Sequence, residues 1–146
     1  MKQIYAHPKR KTKVVFVQLG SPSEPTTKAL RKYLRKFLGD PRVVDINPWL
    51  WKIILNFFVL PFRPKKSAKL YARIWDGKSF PLITNTRDFT NNVREELKKI
   101  DPDGYVEVNH AFLLSPPFVN EVYDSWEDDL KKGIGATKLL VIPMFP

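Results

Sequence analysis

The chain contains no cysteine. This excludes a disulfide framework and any thiolate metal centre, and it fits a reducing compartment. Histidine is nearly as scarce. His7 and His110 are the only two, and no Asp, Glu or His cluster has the spacing of a ligand set, so no metal site is expected. The six glycines form neither G-x-G-x-x-G nor G-x-x-x-x-G-K-[ST], so Gly20-Ser21-Pro22 reads as a tight turn rather than a phosphate loop. No G-x-S-x-G elbow supports a serine nucleophile. No apolar run reaches the roughly 18 residues that a spanning helix needs. The basic start of the chain is followed by no apolar stretch of the kind that marks a secretory signal.

What is present is a globular balance of 43% hydrophobic and 27% charged residues over 146 positions, enough to bury a core without staples. The charge is uneven. Residues 1–75 hold 17 lysines and arginines against three acidic residues, whereas residues 76–146 hold eight against twelve. A basic half argues for an anionic partner: nucleic acid, an acidic membrane, or a small molecule bearing carboxylates or phosphates.

Residues 1–12 read as a basic arm and 13–146 as one domain. Lys13 to Leu19 carries a continuous apolar run, the pattern of a strand buried on both faces. Leu30, Tyr33, Leu34, Phe37 and Leu38 then recur at helical spacing over about 26–38, with Gly39 as a candidate left-handed cap and Pro41 beyond it. Arg42 to Ile46 is expected as a short strand. Asn47-Pro48 opens a helix in which only Lys52 and Asn56 interrupt an apolar sequence as far as Leu60. Pro61 and Pro64 are expected to break the chain, with a further helix over 67–75. A helix ending near Asp101-Pro102, a strand over 105–113, a helix with an acidic outer face ended by Gly133 and Gly135, and a strand over 138–144 complete the pattern. Apolar strands alternating with helices predict an α/β doubly wound fold, a mostly parallel sheet with helices on both faces. Ligands in that class bind beyond the carboxyl ends of the strands. The third strand would ordinarily be followed by a covering helix, so the chain is expected to be part of a longer protein. His110 reads as structural, and the apolar stretch 49–60 is open to three readings: core, membrane surface or ligand pocket. Arg63, Lys65 and Lys66 beside it raise the last two.

Four strings then coincide in order and spacing. Gln18 to Pro22 (QLGSP) resembles the "NLGTP" opening of ferrochelatases, and Phe37 to Val44 (FLGDPRVV) their "FLSDPRVV". Leu60 to Trp75 (LPFRPKKSAKLYARIW) resembles "LPLRPKKSAELYRKIW", and Val141 to Pro146 (VIPMFP) resembles "VLPLYP". The resemblance covers about 13–146 and implies the N-terminal half of a two-lobe ferrochelatase, a metal-chelating lyase that inserts ferrous iron into a porphyrin in haem biosynthesis. It implies porphyrin contacts at Leu19, Gly20, Arg63, Tyr71 and Ser79. At the family's serine position spacing places Phe80, with Ser79 one residue early. It places a pocket lip, a membrane-contacting element in some members, on 49–60, with Trp49, Trp51, Ile53, Ile54, Phe57 and Phe58 as its apolar residues. Leu113-Leu114-Ser115-Pro116 stands where the family has "YGxP", so that end of the pocket should be more apolar. No catalytic residue is carried over: the family's metal-facing histidine and glutamate lie in its second half, and His110 does not match that histidine. The implied partners are porphyrin, a C-terminal lobe and, peripherally, membrane, with no covalent cofactor and no nucleic acid. The implied location is cytoplasmic, or peripheral at the inner face of the membrane. The isolated chain is expected to have little or no chelatase activity. Two other readings stay open: a basic α/β domain that binds membrane or nucleic acid, and a drifted porphyrin-binding protein that is not an enzyme.

Overall fold

A computed structural model describes residues 11–145. The elements run β1 (Thr12–Gln18), α1 (Thr27–Leu38), α2 (Pro48–Ile54), a π-helical segment (Leu55–Val59), α3 (Leu60–Tyr71), a 3-10 turn (Ala72–Ile74), α4 (Pro81–Ile100), β2 (Val106–Phe112), α5 (Val119–Lys131) and β3 (Lys138–Pro143). Of the arm expected over 1–12, residues 1–10 lie outside the described residues. Lys11 and Thr12 already belong to the sheet network: Thr12 donates its N–H to Tyr105, and the Lys11 carbonyl accepts from Thr137. The chain divides into two compact units, residues 1–19 with 85–146, and residues 20–84.

The first unit is the expected doubly wound arrangement. Its three strands are all parallel in the order β2-β1-β3. Alternation along β1 sends Val15 and Val17 to one face, where they join Ala111 and pack against Val119 and Val122 of α5 and Leu139 of β3. Phe16 points to the other face and meets Phe89 of α4 edge-on, with ring centroids 5.1 Å apart. One sheet therefore has a helix on each side, which is why the strands read as continuous apolar runs rather than alternating ones. Gly133 and Gly135, both at positive φ, close the turn after α5.

The second unit is helical. Thr26 caps α1 by accepting from the Ala29 N–H. Leu30, Tyr33, Leu34 and Leu38 are buried on its inner face, and α1 packs along α3, which buries Leu60, Pro64 and Ala68. Burying one large apolar side chain is worth roughly 1.5–3 kcal/mol, so this seam is a main source of the unit's stability. Gly39 ends α1 at φ −81°, not in the left-handed region expected.

Two further expectations fail in this unit. Residues 42–46 form a turn and irregular chain, not a strand. Val43 and Ile46 stay exposed, and no described strand lies alongside to complete a ladder, so β-branched sequence alone does not make one. Pro61 and Pro64 do not break the helix. One helical path runs from Pro48 to Ile74 because the ladder changes pitch: the Leu60 N–H bonds to Leu55, five residues back. In regular α geometry the Pro61 ring would collide with the Phe57 carbonyl. Phe57 lies inside the π segment, where the wider turn relieves that clash.

Candidate functional site

Most of the residues singled out in the sequence fall in the second unit, which carries 13 of the 25 basic residues and only four acidic ones. Arg63 is exposed on α3. Among the described residues no carboxylate lies within ion-pair distance of it, so its guanidinium keeps its donors available for an anion. Tyr71 ends the same helix, eight residues and therefore about 12 Å further along the axis.

Tyr71 is half-buried, and its ring stands edge-on to Phe80 at 5.4 Å, with Trp75 on the same Phe80 ring at 4.6 Å. Phe80 itself is only 2% exposed. It is core beneath Tyr71 and offers no surface, whereas Ser79 beside it is half-buried and holds the hydroxyl. Asp76 shapes this turn. Its carboxylate accepts the backbone N–H groups of Ser79 and Lys78, which hold its pKa below the ordinary carboxylate value. Ser79 Oγ donates to the Phe80 carbonyl over a long 3.4 Å, a weak bond that a ligand could displace.

Gly20 is buried at φ +94°, a conformation that favours glycine and turns the chain from β1 toward α1. Its carbonyl accepts from the Tyr33 hydroxyl at 3.3 Å. Burial, and secondarily the Tyr71 phenol, raise the Tyr33 pKa to about 12, so it remains a donor at physiological pH. Sequence reading placed Tyr33 only on an apolar helix face and missed this bond. The available signal was that a buried tyrosine needs a partner for its hydroxyl.

The apolar segment divides by exposure. Trp49 is 78% exposed, Phe57 69% and Phe58 65%, and Ile53 is exposed with them. Trp51 and Ile54 are half-buried. Trp51 is an anchor: its indole N–H donates to the Leu38 carbonyl at 2.6 Å, tying α2 to the end of α1. Lys52, Lys65 and Lys66 are exposed along the same helical path.

In the first unit, Leu19 is half-buried just past β1. Gln18 organises the carboxyl ends of the strands. Its side chain accepts from the Leu19 N–H and donates to the Met144 carbonyl, while its own carbonyl accepts from Leu113. Leu114 donates to Leu19, and Leu113 is 41% exposed. His110 lies on β2 with Nδ1 buried and without a hydrogen-bond partner among the described residues. Its pKa is lowered below 6.5 by burial first, then by Arg94 and Arg87. Among the described residues no group of three His, Asp or Glu side chains is placed to hold a metal ion, and no helix is long and apolar enough to cross a membrane.

Residues 11–146 match the family model for ferrochelatase. The chain is 40% identical over 133 residues to a ferrochelatase of Idiomarina loihiensis, covering 91% of this chain and 35% of that protein. It is 40% identical to one from Teredinibacter turnerae, covering 93% and 36%. It is 41% identical to one from Psychrobacter arcticus, covering 91% and 38%. The chain thus spans little more than a third of the length of these relatives. With a family match across nearly all its residues and the QLGSP, RPKKSAKLY and VIPMFP strings in place, the chain belongs to the ferrochelatase family.

Proposed function

We propose that this chain is the porphyrin-holding N-terminal lobe of a ferrochelatase, a lyase that inserts ferrous iron into a porphyrin during haem biosynthesis. The observation that carries this reading is Arg63: an arginine with no carboxylate paired to it among the described residues, two helical turns from Tyr71, on a helix continuous with a segment that exposes Trp49, Phe57 and Phe58. A flat apolar macrocycle with acidic side arms needs this combination of apolar wall and cationic rim. In this reading the propionates meet Arg63, Tyr71 and Ser79. Gly20, lacking a side chain, lets the macrocycle approach the backbone.

Iron and porphyrin are both substrates. In the reaction, a bent macrocycle presents its pyrrole nitrogens to the metal while a histidine and a glutamate receive metal and protons. The reading assigns those two groups to polypeptide outside these 146 residues, so this chain supplies binding and orientation. By itself it has little or no chelatase activity.

Titration of protoporphyrin into the purified chain, followed by the Soret band, tests the assignment. Arg63→Ala and Tyr71→Ala are each expected to weaken binding about tenfold, the loss typical of a charge-assisted or buried contact. Unchanged affinity in both variants refutes the site. Retention of the pigment in high salt separates this function from binding to nucleic acid, which weakens steeply as salt rises.

Two other readings each have an observation in their favour. The exposed Trp49, Phe57 and Phe58 with Lys52, Lys65 and Lys66 suit peripheral contact with an anionic lipid surface from the cytoplasmic side. Leu113 and Leu114, in place of a phenol and a small residue, suit a porphyrin carrier that does not insert metal. Iron insertion by the protein at its natural full length decides against that carrier.

A further inference from the structure

Tyr33 ties α1 to the turn at Gly20, with its hydroxyl 3.3 Å from the Gly20 carbonyl. Its orientation is set on two sides. The ring stacks on Phe37 at 6.3 Å with planes 24° apart, and α1 lies along α3. Leu30 and Leu34 pack on the same inner face and are almost wholly buried. The phenol is thus held by the helix seam and reaches the carbonyl of the positive-φ residue that follows β1. Gly20 sits at φ +94°, so its peptide orientation depends on what holds it, since glycine imposes little preference of its own.

We infer that Tyr33 is a positioning residue for the tetrapyrrole site: by fixing the Gly20 carbonyl to α1, it sets the backbone turn against the α3 wall that carries Arg63 and Tyr71. This rests on the porphyrin reading above. It assigns Tyr33 no contact with the ligand. Because the phenol stays protonated at physiological pH, the restraint does not depend on pH over that range.

The experiment compares protoporphyrin affinity and thermal stability in the purified chain for wild type, Tyr33→Phe and Leu30→Val. Tyr33→Phe removes only the hydroxyl. Leu30→Val loosens the same buried helix face without touching Gly20. The expected result is an affinity about fivefold weaker in Tyr33→Phe, the worth of one neutral hydrogen bond, with Leu30→Val binding within about twofold of wild type despite an equal or larger fall in Tm. Equal loss of affinity in both variants reduces Tyr33 to a core residue and overturns the inference. So does unchanged affinity in Tyr33→Phe while Arg63→Ala binds weakly, and in that case the porphyrin site itself stands. Failure of wild type to bind protoporphyrin overturns the site and this inference together.

Discussion

Arg94 donates its Nε proton to the Val108 carbonyl at 2.6 Å. A side chain of α4 therefore occupies the outward edge of β2, where the amide of another strand would otherwise bond. Its remaining guanidinium nitrogens donate to Asn91 and Asn109. Nearby, Asp101 accepts the Val106 N–H and the Pro117 carbonyl accepts the Phe112 N–H. Side chains and a loop thus block the edge against strand addition, one of the ways in which sheets avoid edge-to-edge association.

Arg94→Ala should open that edge. A part-buried carbonyl loses its partner at a cost of about 1–3 kcal/mol. The expected result is a lower Tm together with concentration-dependent association in light scattering. A variant that stays monodisperse and as stable as wild type refutes the edge role.

His110 predicts a pH dependence. Its pKa is lowered in the fold, mainly by burial and then by Arg94 and Arg87, so the folded state disfavours the proton. Above the unfolded value of 6.5 both states are neutral and stability is full. As pH falls through that value, the unfolded chain takes up the proton first and stability declines, levelling only below the folded pKa. Between about pH 7.5 and about pH 5.5, wild type should lose more Tm than His110→Gln. Parallel pH profiles for the two proteins would contradict this.

Trp51 and Trp49 should behave differently although they are neighbours. Trp51→Phe keeps an aromatic ring but loses the bond to the Leu38 carbonyl, costing about 1 kcal/mol in denaturant unfolding. Trp49→Phe, at a site 78% exposed, should change stability by less than about 0.5 kcal/mol. Equal costs would show that the indole bond contributes nothing.

The exposed apolar residues of the 49–60 segment predict partition onto vesicles containing anionic lipid. Replacing Trp49 and Phe57 together with serine should reduce that partition by about tenfold or more, since each buries a large apolar area on insertion. Retained binding of the double variant to anionic vesicles, or equal wild-type binding to neutral ones, removes the lipid reading.

Sequence spacing and the structure agree most closely where local rules are sufficient. Thr26 at the start of α1, the apolar face from Leu30 to Leu38, and the three apolar strands are short-range signals, and each is found where its periodicity placed it. They part where an element depends on a neighbour. The Val43-Val44 pair has the composition of a strand but no described strand beside it. Pro61 and Pro64 have the chemistry of a break, yet the π segment before them absorbs the distortion. At the candidate site, Arg63 and Tyr71 were legible because their spacing is carried by one string. Tyr33 was not, because its partner lies thirteen residues away across a turn.

From the order of residues alone came the alternation of strands and helices, the concentration of positive charge in the first half and the family strings, since each depends on neighbours within a few positions. The folded chain decided that Phe80 is core while Ser79 beside it is half-buried, that Trp51 is an anchor while Trp49 faces outward, and that Tyr33 holds Gly20. These are contacts between separate elements, and the direction in which a side chain points across such a contact follows from backbone paths that spacing does not encode.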